Sequence, residues 1–396
     1  MLERRLVPLL AVVGDGMLEA VATGIPTGTG PSQMNPSIST SILSPEDARG
    51  EQAENSPAVV VRTVAGLRAN LEPARESHRT VGLVPTMGAL HEGHLSLIRR
   101  ARAECDVVVV SLFVNPTQFN EAADLERYPR EEERDREFAQ AAGADLLFAP
   151  SVEEVYPRGF STSVEVFGLT DRLEGAVRGS AHFKGVTTVV TKLLNMVAPD
   201  VAYFGQKDAQ QAIVIKRMAR DLDIAVRIEV CPTVREPDGL AMSSRNAHLS
   251  SSERLRALAL SKALAAAAAA VSRGERSAEA LTAIARASMN ELEVEPEYVA
   301  LVMPDTLEPV SELEEPALLA IAARVGATRL IDNVTLDPAA KITDLDLSRP
   351  GAEPDLPAVE PNLPVAEPNL PVVEATDSAK HPEPANPRES QTICSV

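Results

Sequence analysis

The run Val107-Val-Val-Val-Ser-Leu-Phe-Val114 leaves this chain few ways to fold. It is apolar and mostly β-branched, with no alternation of polar and apolar positions. Such a run reads as a strand covered on both faces, the signature of a parallel sheet lying between two helix layers. Its neighbours agree. Thr80–Val84, Asp145–Ala149, Val201–Phe204 and Val226–Val230 read as further short strands. Between them, His94–Glu104, Glu131–Ala142, Val186–Val197 and Ala209–Asp221 carry helical spacing. Strands that alternate with helices imply right-handed crossovers and a Rossmann-like α/β sheet. A ligand of such a sheet sits outside the carboxyl ends of the strands.

The pattern changes after residue 238. Ser250-x-x-Glu253 is a capping-box signature that opens an Ala-rich helix running through Val271. A second helix follows over Ala278–Leu292. Tyr298–Val302 and Leu318–Val325 read as strands, with Arg329–Asn333 as a third. The chain therefore divides into an extension over 1–56, a Rossmann-like domain over 57–238, a smaller α+β lid domain over 239–346 and a tail over 347–396. Residues 1–56 are rich in Ser, Thr, Gly and Pro. The tail holds 10 of the 30 prolines and repeats a seven-residue unit from Glu353, Glu360 and Glu367. Proline removes backbone donors and fixes φ, so an acidic, disordered tail is expected, as is a disordered N-terminal extension.

Composition removes several functions. The 38 Lys+Arg against 57 Asp+Glu give a net charge of −19, the wrong sign for a general nucleic-acid binder. Aromatics are 3% with no Trp, too few for a base-stacking platform. Cys105, Cys231 and Cys394 are far apart, which excludes a Cys-x-x-Cys site and fits a reducing, cytoplasmic setting. Arg4 and Arg5 precede a short apolar stretch, but Asp15 follows at once, so export is not expected. No membrane span is expected either.

The chemistry concentrates in three places. Pro85-Thr-Met-Gly-Ala-Leu-His-Glu-Gly-His94 lies between a buried strand and a helix. Gly88 and Gly93 allow close approach of a ligand, and the helix start offers free N–H groups to phosphate. His91 and His94 can donate to phosphate oxygens or, when protonated, neutralise developing charge. Taken alone, a metal pair or a plain turn stays open for this motif. Gly205-Gln-Lys-Asp208 follows a strand: Lys207 can reach a phosphate and Asp208 can cap the next helix. Asp238–Arg245 supplies Gly, two hydroxyls and an Arg, suited to a loop closing on phosphates.

The order of these pieces is a nucleotidyl-transfer plan. With Phe113–Phe119, Tyr128-Pro-Arg130, His182-Phe-Lys-Gly-Val186, Tyr203–Gln211 and Asp238–Asn246, the chain resembles the pantothenate synthetase (pantoate–β-alanine ligase) family over about residues 57–345. The resemblance implies ATP contacts by Met87, Gly88, Ala89, Leu90, His91, Glu92, Gly93 and His94, with His94 the proton donor. It extends them to Gly205, Gln206, Lys207, Asp208, Val234, Met242, Ser243, Ser244 and Arg245. It implies that Gln118 touches pantoate and β-alanine, and that Gln211 touches pantoate. ATP with Mg2+, a pantoyl adenylate and a homodimer follow from the same resemblance. Asp135 is a candidate magnesium ligand. The alternative is a related nucleotidylyltransferase that leaves its nucleotide on the product.

Overall fold

The structure, a computed structural model, describes residues 58–119 and 122–339. The extension over 1–56 and the Pro-rich tail over 347–396 lie outside them. Nine strands and ten α-helices run in chain order among the described residues. They are β1 (Val59–Val61), α1 (Val64–Glu76), β2 (Val81–Thr86), α2 (Glu92–Glu104), β3 (Val107–Leu112), α3 (Ala122–Arg127), α4 (Glu132–Ala141), β4 (Leu146–Phe148) and α5 (Val152–Val155). After these come α6 (Glu174–Arg178), α7 (Ser180–Val197), β5 (Val201–Gly205), α8 (Ala209–Asp221) and β6 (Arg227–Cys231). The last set is α9 (Ser251–Ser272), α10 (Ala278–Asn290), β7 (Pro296–Val302), β8 (Ala317–Val325) and β9 (Thr328–Leu336).

The first six strands form one sheet in the order β1-β4-β3-β2-β5-β6, and every pairing is parallel. β3 lies inside it, and Val108, Val109 and Val110 are fully buried. Successive side chains point to opposite faces. Val109 joins Leu83 and Phe148 in a core closed by α1, α7 and α8. Val108 and Val110 join Val84 and Leu147 in a second core closed by α2 and α4. Each buried valine contributes about 1.5–3 kcal/mol, so this strand is where a polar substitution costs most.

Several sequence-based boundaries move. α2 opens at Glu92, two residues before His94, because His91 has extended backbone (φ −137°, ψ 173°) and occupies the N-cap position. α7 opens at Ser180, so the whole His182-Phe-Lys-Gly-Val186 stretch is helical. β3 ends at Leu112, and β2 continues through Pro85, which lies beyond the end of the β2–β5 ladder at Leu83. β1 and α1 were not anticipated. α1 is capped by Thr63, whose hydroxyl accepts from Gly66 N–H at 3.1 Å.

β7, β8 and β9 form a separate antiparallel sheet. The expected capping box opens α9, with Ser250 N–H donating to Glu253 at 2.9 Å and Glu253 N–H to the Ser250 hydroxyl at 3.3 Å. α9 is long and apolar enough to cross a membrane, yet its Ala257, Leu260, Ala263 and Leu264 are buried in a core with Leu319, Ile321 and Leu281. A further apolar cluster joins the two sheets, with Phe183 and Val214 meeting Leu307 and Leu318.

From β2 the chain crosses to β3 on one side, while from β5 it crosses to β6 on the other. The crevice between β2 and β5 is therefore the topological switch point, where open α/β sheets bind ligands.

Candidate active site

The loop after β2 is built from its backbone outward. Gly88 sits at φ +90° and Ala89 at +53°, a left-handed turn that costs a residue with a Cβ. The Asp135 carboxylate on α4 holds it there, accepting from Ala89 N–H at 2.9 Å and Leu90 N–H at 2.7 Å. A Cβ on Gly88 would come within 2.9 Å of the same carboxylate, so glycine is required on space as well as on angle. Asp135 is 3% exposed and both its oxygens are engaged, so it is a brace for this loop and does not suit the magnesium role suggested for it. Burial pushes its carboxyl up, and the two N–H donors pull the other way.

The loop leads into α2. His91 N–H donates to His94 Nδ1 at 3.4 Å, and the two rings stack with centroids 4.1 Å apart. His91 Nδ1 is buried with no hydrogen-bond partner among the described residues. Burial, helped by His91, holds the His94 pKa down to about 3; burial, helped by Lys207, also lowers His91. Both imidazoles are therefore neutral near pH 7, and His94, accepting at Nδ1, presents Nε2–H. Of the two roles the sequence offers these imidazoles, donation by a neutral ring fits the free site and a resting positive charge does not. Gly93 N–H, at the helix start, meets the Met242 sulfur at 3.2 Å. Glu92 turns to solvent and pairs with Arg99, so only its backbone belongs to the site.

After β3 the chain makes a one-turn 3-10 helix at Pro116–Gln118. It lies directly on α7. A Cβ on Gly185 would fall 2.5 Å from the Thr117 carbonyl oxygen and 2.8 Å from Gln118 N. Asn115 Nδ2 donates to Gly185 O at 3.1 Å and to Gln118 Oε1 at 3.0 Å. His182 Nδ1 donates to the Gln118 carbonyl at 2.8 Å. Gln118 Nε2 then reaches the Met87 sulfur at 3.0 Å, which joins this turn to the loop after β2. The His-Phe-Lys-Gly motif is thus a seat for Gln118.

After β5, Gly205, Gln206 and Lys207 run against β9. Asn333 Nδ2 donates to the carbonyls of Gln206 and Lys207, both at 2.9 Å, and Asn333 Oδ1 accepts from Gln206 Nε2 at 3.0 Å. Lys207 Nζ lies 3.6 Å from Asp208. Enclosure in the cleft raises the Asp208 carboxyl, but Lys207, Arg245 and Arg178 outweigh it and hold it below the usual range. Asp208 takes the N-cap position of α8 without making the expected side-chain cap. Gln211 follows, half-buried in the first turn of α8, and no hydrogen bond among the described residues joins it to Gln118.

The loop after β6 closes the cleft. Met242 N–H donates to the Val234 carbonyl at 2.9 Å. Ser243 caps a short 3-10 turn by accepting from Arg245 N–H at 3.3 Å, leaving Ser244 and Arg245 exposed. Lys207, Ser243, Arg245 and Asp332 line one pocket. Arg235 behind it forks onto Asp332 at 2.7 and 3.1 Å, a pair almost fully buried. The residues missed from sequence, Asn115, Gly185, Asn333, Arg235 and Asp332, act on backbone, on one another, or on the side chains of Gln118 and Gln206.

The Pantoate-beta-alanine ligase family model matches residues 59–335. The pantothenate synthetase of Moorella thermoacetica is 53% identical over 282 residues, covering 70% of this chain and 98% of that protein. The crystal structure of the pantothenate synthetase from Thermus thermophilus has a TM-score of 0.67 at 48% identity, covering 71% of this chain and 100% of that one. A Francisella tularensis pantoate–β-alanine ligase structure, complexed with β-γ ATP and β-alanine, has a TM-score of 0.57 at 34% identity, covering 71% of this chain and 100% of that one. The cleft at the switch point, with its paired histidines and seated glutamine, therefore stands in a chain that belongs to the pantoate–β-alanine ligase family.

Proposed function

We propose that this chain joins pantoate to β-alanine in two steps at the cleft between β2 and β5. In the first, a pantoate carboxylate oxygen attacks the α-phosphorus of ATP. Pyrophosphate leaves with the electrons of the broken P–O bond, and pantoyl adenylate remains. In the second, the β-alanine amine attacks the acyl carbon, loses a proton, and AMP leaves as pantothenate forms.

The observation that carries the reading is the meeting of three loops at one crevice. The start of α2 offers N–H groups, and His91 and His94 stack there as neutral donors. Lys207 and Arg245 line one pocket, and the charge of Lys207 is felt by both imidazoles. Charge grows on phosphate oxygens in the first step, and fixed donors aimed at it stabilise that transition state. His94 Nε2–H faces this task as a hydrogen-bond donor. Phosphate charge beside it would raise its pKa and so favour proton donation. Gln118 and Gln211 offer neutral amides to pantoate, whose carboxylate must stay nucleophilic; a cation there would blunt it.

Magnesium fits this cleft only as a passenger of the nucleotide. No group of three or more His, Cys, Asp or Glu suited to a metal occurs among the described residues. Asp208, half-exposed beside Lys207, is an oxygen donor that would hold one face of the ion. Bound there, magnesium would neutralise phosphate charge. The lid role for residues 239–346, a homodimer and a cytoplasmic location belong to the same proposal.

Purified protein given ATP, pantoate and β-alanine should release AMP and pyrophosphate in equal amounts with pantothenate. Omitting β-alanine should leave a pyrophosphate burst matching the enzyme concentration. A nucleotidylyltransferase would instead retain AMP in its product and ignore the amine.

A further inference from the structure

The two cations that line the pocket, Lys207 and Arg245, stand on different loops, one after β5 and one after β6. Resting on the ligase reading, both serve one polyphosphate. They can do so together only if the two loops keep a fixed spacing.

The loop after β6 is a small hairpin. Arg235 lies opposite Ala241 in an antiparallel bridge. Glu236 N–H donates to the Leu240 carbonyl at 2.8 Å, and Met242 N–H to the Val234 carbonyl at 2.9 Å. The Arg235 side chain crosses towards the turn, where its Nη1 donates to the Gly239 carbonyl at 3.2 Å. Ser243, Ser244 and Arg245 follow directly from the second arm. Arg254 on α9 holds the outer turn through Glu236 and Asp238. The tie towards the Lys207 loop runs through Arg235.

Its anchor is Asp332 on β9, reached by the fork at 2.7 and 3.1 Å; the two side chains are 5% and 2% exposed. Asp332 Oδ1 also accepts from Asn333 N–H at 2.8 Å. Asn333 in turn donates to the Lys207 carbonyl at 2.9 Å. An unbroken line of hydrogen bonds therefore runs from Gly239 through Arg235, Asp332 and Asn333 to the backbone of Lys207. Asp332 itself lines the pocket, where an unpaired carboxylate would repel phosphate. Stability does not explain such a pair. Apolar residues of similar volume are often as stable, because the cost of desolvating two charges offsets their attraction. What an apolar pair lacks is direction, since a guanidinium fork fixes both distance and angle.

We propose that Arg235 and Asp332 are a positioning pair that sets the spacing of Lys207 and Arg245 for the polyphosphate of ATP.

The test reads the Kd for ATP by calorimetry, the KM for each substrate and the thermal midpoint. Arg235→Met alone strands the buried Asp332 carboxylate and should lower the midpoint most. Adding Asp332→Leu should recover most of the midpoint. The double variant should still bind ATP roughly 5- to 30-fold more weakly than wild type, with the KM for pantoate within about twofold. Arg235→Lys keeps the charge without the fork and should show a smaller loss for ATP. A folded double variant that binds ATP within about twofold of wild type would overturn the proposal. Equal rises in the KM for ATP and for pantoate would overturn it too, and make the pair a prop for the whole cleft. If the double variant does not fold, Arg235→Lys decides on the same two readings. ATP binding is read without the other substrates. The ligase reading fails separately, on a wild-type protein with no pyrophosphate burst from ATP and pantoate.

Discussion

Asn333 should matter to ATP although it lies on the second sheet. Its side chain makes three hydrogen bonds to the loop after β5: two to the carbonyls of Gln206 and Lys207, and one from the Gln206 amide. Asn333 itself is 5% exposed. Asn333→Ala leaves all three loop groups without this partner. A buried group so orphaned costs about 1–3 kcal/mol, but Gln206 and Lys207 are only partly buried and water can reach them, so about 2–3 kcal/mol in total is reasonable. At about 2–4 °C per kcal/mol for a chain of this size, the thermal midpoint should fall by roughly 5–10 °C. Lys207 should also lose its aim. If ATP must restore about 1–2 kcal/mol of that order on binding, the KM for ATP should rise roughly 5- to 30-fold, with the KM for pantoate far less affected. Asn333→Asp should be worse than Ala, because it sets a carboxylate oxygen against two carbonyl oxygens. The assays are steady-state kinetics in ATP at saturating pantoate and β-alanine, with thermal melts alongside. A midpoint that falls while the KM for ATP stays within twofold of wild type would refute the reasoning and leave Asn333 as a fastener between the sheets.

Gly185→Ala forces a Cβ onto the Thr117 carbonyl and Gln118 N, an overpacking that costs about 1–3 kcal/mol; the KM for pantoate should rise more than that for ATP, and equal rises would refute the seating role. His94→Ala should slow pyrophosphate release in single turnover by ~10²–10³, as for loss of one aimed donor, and a variant within about threefold of wild type would refute its role. His182 has its pKa lowered from 6.5 to about 4, so the unfolded chain binds its proton first as pH falls. Its contribution is complete above pH 6.5 and drains away towards pH 4, by about 3 kcal/mol in all. His182→Asn keeps a donor near Nδ1 without that titration, so its thermal midpoint should fall less steeply between pH 6.5 and 4 than that of wild type.

The parallel sheet was legible because its strands are buried on both faces. β3 needs two apolar sides, and a run such as Val107–Leu112 has no other soluble use. β1 was not legible for the opposite reason. It is an edge strand of three residues, Val59 is 49% exposed, and among the described residues its only strand neighbour is β4, far along the chain. Nothing local distinguishes Val59–Val61 from a short apolar loop; the pairing decides it. The start of α7 was missed because Gly185 breaks the apolar helical period, and its reason for being glycine is the Thr117–Gln118 backbone pressed against it.

The site divides along the same physical line. Side chains that face a ligand announce themselves by type and spacing, as His91, His94 and Lys207 do. Side chains that hold backbone do not, since the groups they hold carry no sequence signature. Asp135 shows the difficulty: a carboxylate near a phosphate loop reads as a metal ligand, yet it accepts from Ala89 and Leu90 and keeps a strained turn in place. Gln210 and Gln211 show it more sharply. They are identical and adjacent. Gln210 is 5% exposed and spends its amide on Leu169, Arg172 and Glu174. Gln211 sits about 100° further round the helix, half-buried, with none of those bonds. Which of the two serves substrate and which serves scaffold depends on the phase of α8 against the segment before α6. Exchanging their roles would take a register change of one residue, which would break the three bonds that Gln210 makes to Leu169, Arg172 and Glu174. The bonds that keep Gln210 from the substrate also tie the start of α6 to α8, since Glu174 N–H donates to Gln210 Oε1 at 2.9 Å.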